Sequence, residues 1–182
     1  IVEISLSLLS WFDLNKRDLP FRKNRNPYRI WVSEIMLQQT KVDTVIPYYN
    51  NWIKNYPNII SVYESSESNL LKSWEGLGYY SRCRNFHKAV KIVFEKYNGE
   101  IPDSWECFRS LPGVGDYTAG AVLSIAFKKP FIALDGNVKR VMARLLGRKI
   151  LSKYNIQRFT STLNKWLDQN RPGDFNEAMM EL

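Results

Sequence analysis

Two glycines and an aspartate have the spacing with the clearest chemical meaning in the chain. Gly113 and Gly115 lie in the segment LPGVG at residues 111–115, and Asp135 follows 20 residues after Gly115. A Gly-x-Gly turn can present backbone N–H groups to a phosphate, because glycine tolerates positive φ and has no side chain in the way. A carboxylate on the following loop could then face a sugar. The pattern predicts a grip on one nucleic-acid strand and a carboxylate directed at a sugar–base bond.

Glu34 is the second candidate reactive carboxylate. It shares one face of a predicted helix with Ile30 and Leu37, and it lies about one turn from Trp31. An apolar setting favours the neutral carboxyl group and raises its pKa, which suits a general acid. From periodicity alone, a carboxylate that binds a buried backbone group or an arginine is an equally good interpretation.

Asp135 also has a purely structural interpretation. It stands directly before Gly136, Asn137 and a helical run, which is where a helix N-cap is expected. From the residues alone, N-capping is the better interpretation of Asp135. A capping aspartate can still act in catalysis, so the two roles do not exclude each other.

The charge of the chain favours a polyanionic partner. The 26 Lys and Arg residues outnumber the 18 Asp and Glu residues, which gives a net charge of +8 and a pI near 9.5. Two solvated basic faces remain the alternative. No apolar run approaches the roughly 20 residues of a membrane span, so we expect no membrane partner. The basic residues concentrate in two stretches: Lys16, Arg17, Arg22, Lys23, Arg25 and Arg29, and then Lys139, Arg140, Arg144, Arg148, Lys149 and Lys153.

Cysteine and histidine content restricts the metal chemistry. Cys83 and Cys107 are 24 residues apart, and His87 is the one histidine of the chain. This set does not build a zinc site, so we expect no resident metal of that kind. His87 is interpreted as a surface or half-buried structural residue, and carboxylates are left as the reactive groups.

The hydrophobic pattern predicts an all-α fold. No segment has a convincing two-residue period, whereas helical periodicity recurs along the chain. Asp103 and Glu106 resemble a capping box before the hairpin helix, and the helix after the hairpin is rich in small residues, which predicts close packing. The predicted helices cover about residues 28–39, 42–56, 66–75, 80–97, 103–111, 116–127, 137–146, 155–169 and 174 onward.

The chain length allows two helical lobes. We place their boundary at Lys128-Lys129-Pro130. One lobe then has six helices over 19–129, including a helix-hairpin-helix motif over 104–127. The other comprises 1–18 and 130–182. Because the boundary lies between the hairpin and Asp135, the predicted active site is the cleft between the lobes.

Four sequence blocks carry a resemblance to a known family. They are Ser33–Thr40, Gly76–Tyr80, Leu111–Gly120 and Leu134–Val141. Together they resemble the adenine DNA glycosylases of the MutY family, which belongs to the helix-hairpin-helix glycosylase superfamily, and the match runs from about Trp11 to the end. The resemblance implies base excision repair: base flipping and hydrolysis of the N-glycosidic bond of adenine mispaired with 8-oxoguanine or guanine in double-stranded DNA.

The same resemblance assigns catalytic roles. Glu34 would protonate the leaving base, and Asp135 would stabilise the oxocarbenium-like sugar or attack it, with Asn137 positioning the Asp135 carboxylate. Relatives that also cut the strand carry a lysine where this chain has Tyr117. Lys128 and Lys129 lie roughly 15 Å along the helix from Tyr117 at 1.5 Å per residue, so neither easily takes the place of that lysine. The resemblance therefore implies a monofunctional glycosylase without lyase activity.

Further positions resemble the family's pocket and DNA contacts. On pattern alone, Tyr79 and Tyr80 would be core residues. By resemblance, Gln39 and Tyr79 insert into the base stack, Arg22, Leu37 and Glu177 form the adenine pocket, Gly113 and Gly115 bind a phosphate with a monovalent cation on the carbonyls of Leu111 and Val114, and Lys139 and Arg140 contact phosphates.

The resemblance also sets expectations beyond the site. Family members continue into a four-cysteine loop with a [4Fe–4S] cluster, expected just after Leu182, and into a domain that recognises 8-oxoguanine; residues 1–182 themselves are expected to hold no cofactor. We expect a monomer with an intracellular location, in the cytoplasm or nucleoid if the organism is bacterial. Two alternatives remain: a bifunctional endonuclease III-like glycosylase/lyase, and a non-catalytic helix-hairpin-helix DNA-binding module.

Overall fold

The computed structural model describes residues 2–149 and 152–182. Within these ranges the regular elements are all helical, which confirms the predicted all-α class. No helix in the described part of the chain is long and apolar enough to cross a membrane. The elements are α1 (Val2–Asn15), a 3-10 helix (Pro20–Arg22), α2 (Pro27–Leu37), α3 (Val42–Asn55), α4 (Ile59–Tyr63), α5 (Glu67–Ser73), α6 (Ser81–Tyr97), α7 (Trp105–Arg109), α8 (Asp116–Phe127), α9 (Gly136–Leu145), α10 (Lys153–Trp166) and α11 (Pro172–Glu181).

The chain divides into two compact units. The central unit is Asp18–Thr118, which contains the 3-10 helix, α2 to α7 and the first residues of α8. The terminal unit combines the chain up to Arg17 with Ala119–Leu182.

Aromatic residues form the core of the central unit. Trp31 and Trp52 are fully buried, and the ring of Trp31 meets those of Phe86 at 4.8 Å and Phe108 at 5.1 Å between centroids. The Tyr28 hydroxyl accepts from Trp52 Nε1 at 3.0 Å, and burial raises the pKa of Tyr28. These contacts join α2 to α3, α6 and α7, so α2 is held on several sides.

The terminal unit has its own apolar core and its own ion pairs. Arg171 donates to Asp13 at 2.9 and 2.6 Å, and Arg17 donates to Glu181 at 2.6 and 3.0 Å. Both ion pairs join the end of α1, or the residues just after it, to α11 or its N-cap. The buried core residues come from α1, α9, α10, α11 and the residue after α10: Leu9, Val138, Met142, Phe159, Leu163, Leu167, Phe175 and Met179.

Small residues bring α8 against the rest of the terminal unit. A Cβ at Gly120 would overlap the carbonyl oxygen of Ile132, and one at Gly173 would lie 2.6 Å from the Cα of Ile125. Asn176 also donates to Ser124 Oγ at 2.8 Å. Because of this packing the structural division falls between Thr118 and Ala119, and Lys128–Pro130 lies inside one unit rather than at its edge.

Local capping explains two differences from the predicted elements. The predicted capping box at Asp103 is wrong by one residue, because Ser104 is the N-cap of α7 and its Oγ accepts from Cys107 N at 3.3 Å. Helix α4 was not predicted. It has five residues and is stabilised by a capping box between Asn58 and Ser61, and five residues are too few to show periodicity.

Candidate active site

Glu34 and Tyr117 form the central contact of the candidate site. Tyr117 Oη donates to Glu34 Oε2 at 2.7 Å, although the residues are 83 positions apart. Glu34 is 6% exposed. Helix α2 presents it: Asn26 caps the helix by accepting from Tyr28 N at 3.0 Å, and Pro27 occupies the first turn. Tyr117 lies in the first turn of α8, directly after the glycine hairpin.

Glu34 lies on a helix whose residues are mostly buried. Trp31 and Met36 are fully buried on the same helix, and Ile30 and Ile35 are nearly so. Burial disfavours an ionised carboxylate relative to the neutral acid. The bond from Tyr117 fixes the orientation of the Glu34 carboxyl group. A neutral carboxyl group with one oxygen held by a donor is suited to general acid catalysis.

A second side-chain pair supports the same junction. Gln38, directly after α2, donates through Nε2 to Thr118 Oγ1 at 3.1 Å. The end of α2 and the start of α8 are therefore joined by two adjacent hydrogen bonds. Sequence reasoning placed Gln38 on the helix face of Glu34 but did not predict its bond to Thr118, because the two residues are 80 positions apart.

The glycine hairpin is a tight and braced turn. Gly113 has φ +77°, and a Cβ there would lie 2.9 Å from the Cβ of Asn85. Arg109 donates to Val114 O at 2.8 Å and to Asp116 Oδ1 at 2.5 Å. Gly113 and Gly115 are exposed. The turn therefore presents exposed backbone at the start of a twelve-residue helix, an arrangement that favours an anion.

The hairpin carbonyls assigned to a cation already have donors. Val114 N donates to Leu111 O at 3.1 Å, and the Arg109 guanidinium donates to Val114 O. The arginine thus supplies a positive charge at the position that the resemblance gave to a monovalent cation. Cation binding at Leu111 and Val114 stays a prediction.

Gln39 and Tyr79 are exposed and share an unusual backbone conformation. Their φ angles are +58° and +47°, in the left-handed region that residues with a Cβ seldom adopt. Tyr79 is 61% exposed and Tyr80 39% exposed, so the interpretation of this pair as core residues is wrong. The exposure agrees with the surface position that a residue inserting into DNA would need, and the insertion itself stays a prediction.

Arg82 was missed by sequence reasoning. It is 8% exposed in the first turn of α6 and donates to five backbone carbonyls around Gln39 and Tyr79. Its spacing gave one usable signal, because it lies one helical turn before Phe86 on a face that was predicted to point inward. Arginine was assumed to be solvated, and the signal was overlooked.

The predicted pocket residues are distributed over both units. In the central unit, Arg22 ends the 3-10 helix and Leu37 ends α2, and both are half-buried. In the terminal unit, Glu177 lies on α11 and is 5% exposed. Their assignment to an adenine pocket stays a prediction.

Asp135 is the N-cap of α9. Its Oδ1 accepts from Val138 N at 2.7 Å, which confirms the capping interpretation. The Asn137 side-chain oxygen accepts from Arg140, and a role of Asn137 in positioning the Asp135 carboxylate stays a prediction. Lys139 is half-buried and Arg140 is exposed on the same helix. A catalytic role of Asp135 stays a prediction.

His87 and Cys83 are buried residues of α6. His87 is 2% exposed, deeper than predicted, and burial lowers its pKa, with Lys91 adding to the effect. Burial raises the pKa of Cys83 to about 12, so this thiol is unreactive near neutrality. Across residues 2–149 and 152–182, no group of three or more His, Cys, Asp or Glu side chains is placed to hold a metal ion.

These features define a class and then a family. An all-α fold in which a glycine hairpin joins two helices belongs to the helix-hairpin-helix class. Residues 32–178 match the family described as HhH-GPD superfamily base excision DNA repair protein, and the chain belongs to this superfamily.

Among the curated proteins, the chain is similar to adenine DNA glycosylases. The chain is 41% identical over 177 residues to the adenine DNA glycosylase of Buchnera aphidicola subsp. Baizongia pistaciae, covering 97% of this chain and 50% of the relative. It spans between about a third and a half of the length of the curated relatives it matches.

Solved structures agree with this similarity. A thermostable thymine-DNA glycosylase superimposes with a TM-score of 0.89 at 27% identity, over 98% of this chain and 83% of that one. A trapped endonuclease III–DNA covalent intermediate gives a TM-score of 0.81 at 25% identity, over 97% and 81%.

Proposed function

We propose that the chain is a monofunctional DNA glycosylase that removes adenine mispaired with 8-oxoguanine or guanine from double-stranded DNA. The observation that carries the proposal is the buried Glu34 carboxyl group held by Tyr117 directly after the glycine hairpin. The curated relatives named adenine DNA glycosylase support the choice of base.

Glu34 has the role of general acid. When the bond between C1′ of the sugar and N9 of adenine breaks, its electron pair moves to the base, and protonation of a ring nitrogen makes the base a better leaving group. The neutral form of Glu34 can supply this proton while Tyr117 orients the carboxyl group.

Asp135 has the role of stabilising the sugar cation. Its Oδ1 is engaged by Val138 N as the helix cap, which leaves Oδ2 as the oxygen to face or bond C1′. Water then adds to C1′ and its released proton restores the neutral Glu34. The products are free adenine and an abasic site in an intact strand.

Tyr117 determines that the reaction stops at hydrolysis. Strand cleavage by this class of enzyme needs an amine that forms a Schiff base with the sugar. The phenol at residue 117 cannot form one, and its hydroxyl instead donates to Glu34. This favours the monofunctional proposal over the endonuclease III-like alternative.

Binding and base extrusion use the hairpin and the exposed loops. The Gly113 and Gly115 backbone would hold a phosphate, and Lys139 and Arg140 would contact others, so binding should weaken as salt increases. Gln39 and Tyr79 would fill the stack when adenine is flipped out. We further propose that the protein acts as a monomer.

No step of the proposed reaction passes through an iron–sulfur cluster. The chain has two cysteines. Cys83 is buried on α6 and Cys107 lies on α7, so these residues do not fit a four-cysteine site. A cluster just after Leu182 stays a prediction from the resemblance.

Two carboxylate variants test the proposal. We expect Asp135→Asn and Glu34→Gln to abolish adenine release from a duplex with adenine opposite 8-oxoguanine, measured under single-turnover conditions, while electrophoretic mobility shifts still show binding. Glu95→Gln, an exposed carboxylate on α6, is the matched control and should react like the wild type. Near-normal release by Asp135→Asn or Glu34→Gln would refute the role of that residue.

A further inference from the structure

Two exposed residues of the central unit, Gln39 and Tyr79, have a backbone conformation that is unfavourable for residues with a Cβ. Gln39 and Tyr79 follow different helices, and both have left-handed φ angles although neither is glycine. Such a conformation persists only where the surroundings fix it. Both side chains are exposed, so the constraint must act on the backbone on either side of them.

Arg82 makes the contacts that supply this constraint. Its Nη1 donates to the carbonyls of Ile35 at 3.1 Å, Met36 at 2.8 Å and Gln38 at 2.6 Å. Its Nη2 donates to the carbonyls of Leu77 and Gly78, each at 3.1 Å. The first three are carbonyls at the C-terminal end of α2 and in the residue just after it, of which Ile35 O also accepts from Gln38 N at 3.4 Å, and the last two precede Tyr79.

A single planar group therefore fixes two peptide planes. The Gln38 carbonyl belongs to the peptide that leads into Gln39, and the Gly78 carbonyl to the peptide that leads into Tyr79. The Arg82 guanidinium carbon also lies 5.5 Å from the centroid of the Tyr79 ring. A lysine cannot reproduce this contact, because its ammonium is a point donor without the rigid fork of a guanidinium.

We propose that Arg82 is a positioning residue for base extrusion, which keeps the loops of Gln39 and Tyr79 in fixed register so that both side chains enter the base stack together. This rests on the proposed function, since it presumes a mispaired adenine that must leave the duplex. Arg82 acts through the two loops and not on the glycosidic bond. Loss of the Arg82 guanidinium should therefore weaken base extrusion more than it weakens non-specific DNA binding.

A fluorescent duplex tests the proposal. With 2-aminopurine in place of the mispaired adenine, extrusion of the base raises its fluorescence. We expect Arg82→Lys to lower the extrusion equilibrium at least about tenfold, the effect of losing one hydrogen bond made by a charged group. Binding to an undamaged duplex should stay within about twofold, because the charge is kept. Lys88→Gln, on the exposed side of the same helix, is the control and should extrude like the wild type.

A double-mutant cycle distinguishes positioning from a general loss of structure. If Arg82 acts through Tyr79 and Gln39, then Arg82→Lys should have a smaller effect on extrusion once Tyr79→Ala is present than it has alone, because only the Gln39 loop is left for Arg82 to position. In the free protein, hydrogen exchange should increase together in residues 37–41 and 77–80. Additive effects in the cycle, or exchange that increases equally throughout the central unit, would overturn the proposal.

A second variant perturbs the same contact from the loop side. A Cβ at Gly78 has no atom within 4 Å, but φ there is +73°, so Gly78→Ala should displace the carbonyl that Arg82 binds without a steric clash. Because Trp74 Nε1 donates to the same carbonyl at 3.1 Å, the Tm of this variant is measured beside its extrusion. If Arg82→Lys does not fold, Gly78→Ala tests the role of Arg82 in its place. Unchanged extrusion in Gly78→Ala would overturn the proposal. A wild-type protein that never extrudes 2-aminopurine refutes the proposed function and this role with it, whereas wild-type extrusion that all variants match refutes the role of Arg82 alone.

Discussion

The two hairpin glycines should respond very differently to the same added methyl group. Gly113 has φ +77°, and a Cβ there would lie 2.9 Å from the Cβ of Asn85. Gly115 has no atom within 4 Å of its Cβ position and is not among the residues with positive φ. Gly113→Ala and Gly115→Ala therefore form a matched pair in one turn, with strain expected at the first position only.

The magnitude follows from the two costs at Gly113. A left-handed residue with a Cβ costs about 1–2 kcal/mol, and the close approach to Asn85 adds about 1–3 kcal/mol of overpacking. We expect Gly113→Ala to lower the free energy of unfolding by about 3 kcal/mol, or Tm by about 6–12 °C for a chain of this size. Gly115→Ala should change the free energy by no more than about 0.5 kcal/mol.

Thermal unfolding followed by circular dichroism gives the Tm of both variants. Titration with a duplex at two salt concentrations gives their DNA affinity and its dependence on phosphate contacts. Gly115→Ala should keep its Tm yet bind DNA more weakly, because its Cβ obstructs the approach of a phosphate. Gly113→Ala should lose both stability and binding. Equal Tm values for the two variants, or an unchanged Tm for Gly113→Ala, would refute the reasoning about the turn.

Three further predictions concern single side chains. Tyr117→Phe removes the hydrogen bond to Glu34 and should slow single-turnover base release about two- to tenfold, since an ordinary hydrogen bond contributes about 0.5–1.5 kcal/mol; rates equal to wild type would show that Tyr117 does not assist. Burial lowers the pKa of His87 below 6.5, so the unfolded state takes up the proton first and Tm should decrease as pH falls below about 6.5. His87→Gln should flatten this dependence between pH 7.5 and 5.5, and an identical slope would contradict the assignment. Gly120→Ala should destabilise the protein by more than about 2 kcal/mol in denaturant unfolding, because its Cβ meets backbone that cannot move aside. Ala126→Gly on the same helix serves as a helix-propensity control, with an expected cost of about 1 kcal/mol.

The sequence predicted the elements of the site better than the contacts between them. Periodicity placed Glu34 on a helix face with Ile30 and Leu37, and in the structure Glu34 and Ile30 are buried on α2 while Leu37 is half-buried. Tyr117 was singled out because it is not a lysine. Its bond to Glu34 joins residues 83 positions apart, and no local pattern encodes such a contact.

Features that depend on tertiary packing were the ones missed. Arg82 is buried because five carbonyls surround its guanidinium, whereas a sequence pattern treats arginine as a surface residue. The division between Thr118 and Ala119 depends on the close approach at Gly120. Lys128–Pro130 looked like a boundary because proline and charge often mark one, and at this position they do not.

Single-turnover incubation with a duplex that carries adenine opposite 8-oxoguanine tests the central claim most directly. Each sample is divided so that one half receives hot alkali before the strands are separated, and a duplex with adenine opposite thymine is the control. The account predicts cleavage of the mispaired duplex in the alkali-treated half alone, with the control duplex intact. Strands that stay intact after alkali, or that are cut without it, would contradict a monofunctional adenine glycosylase.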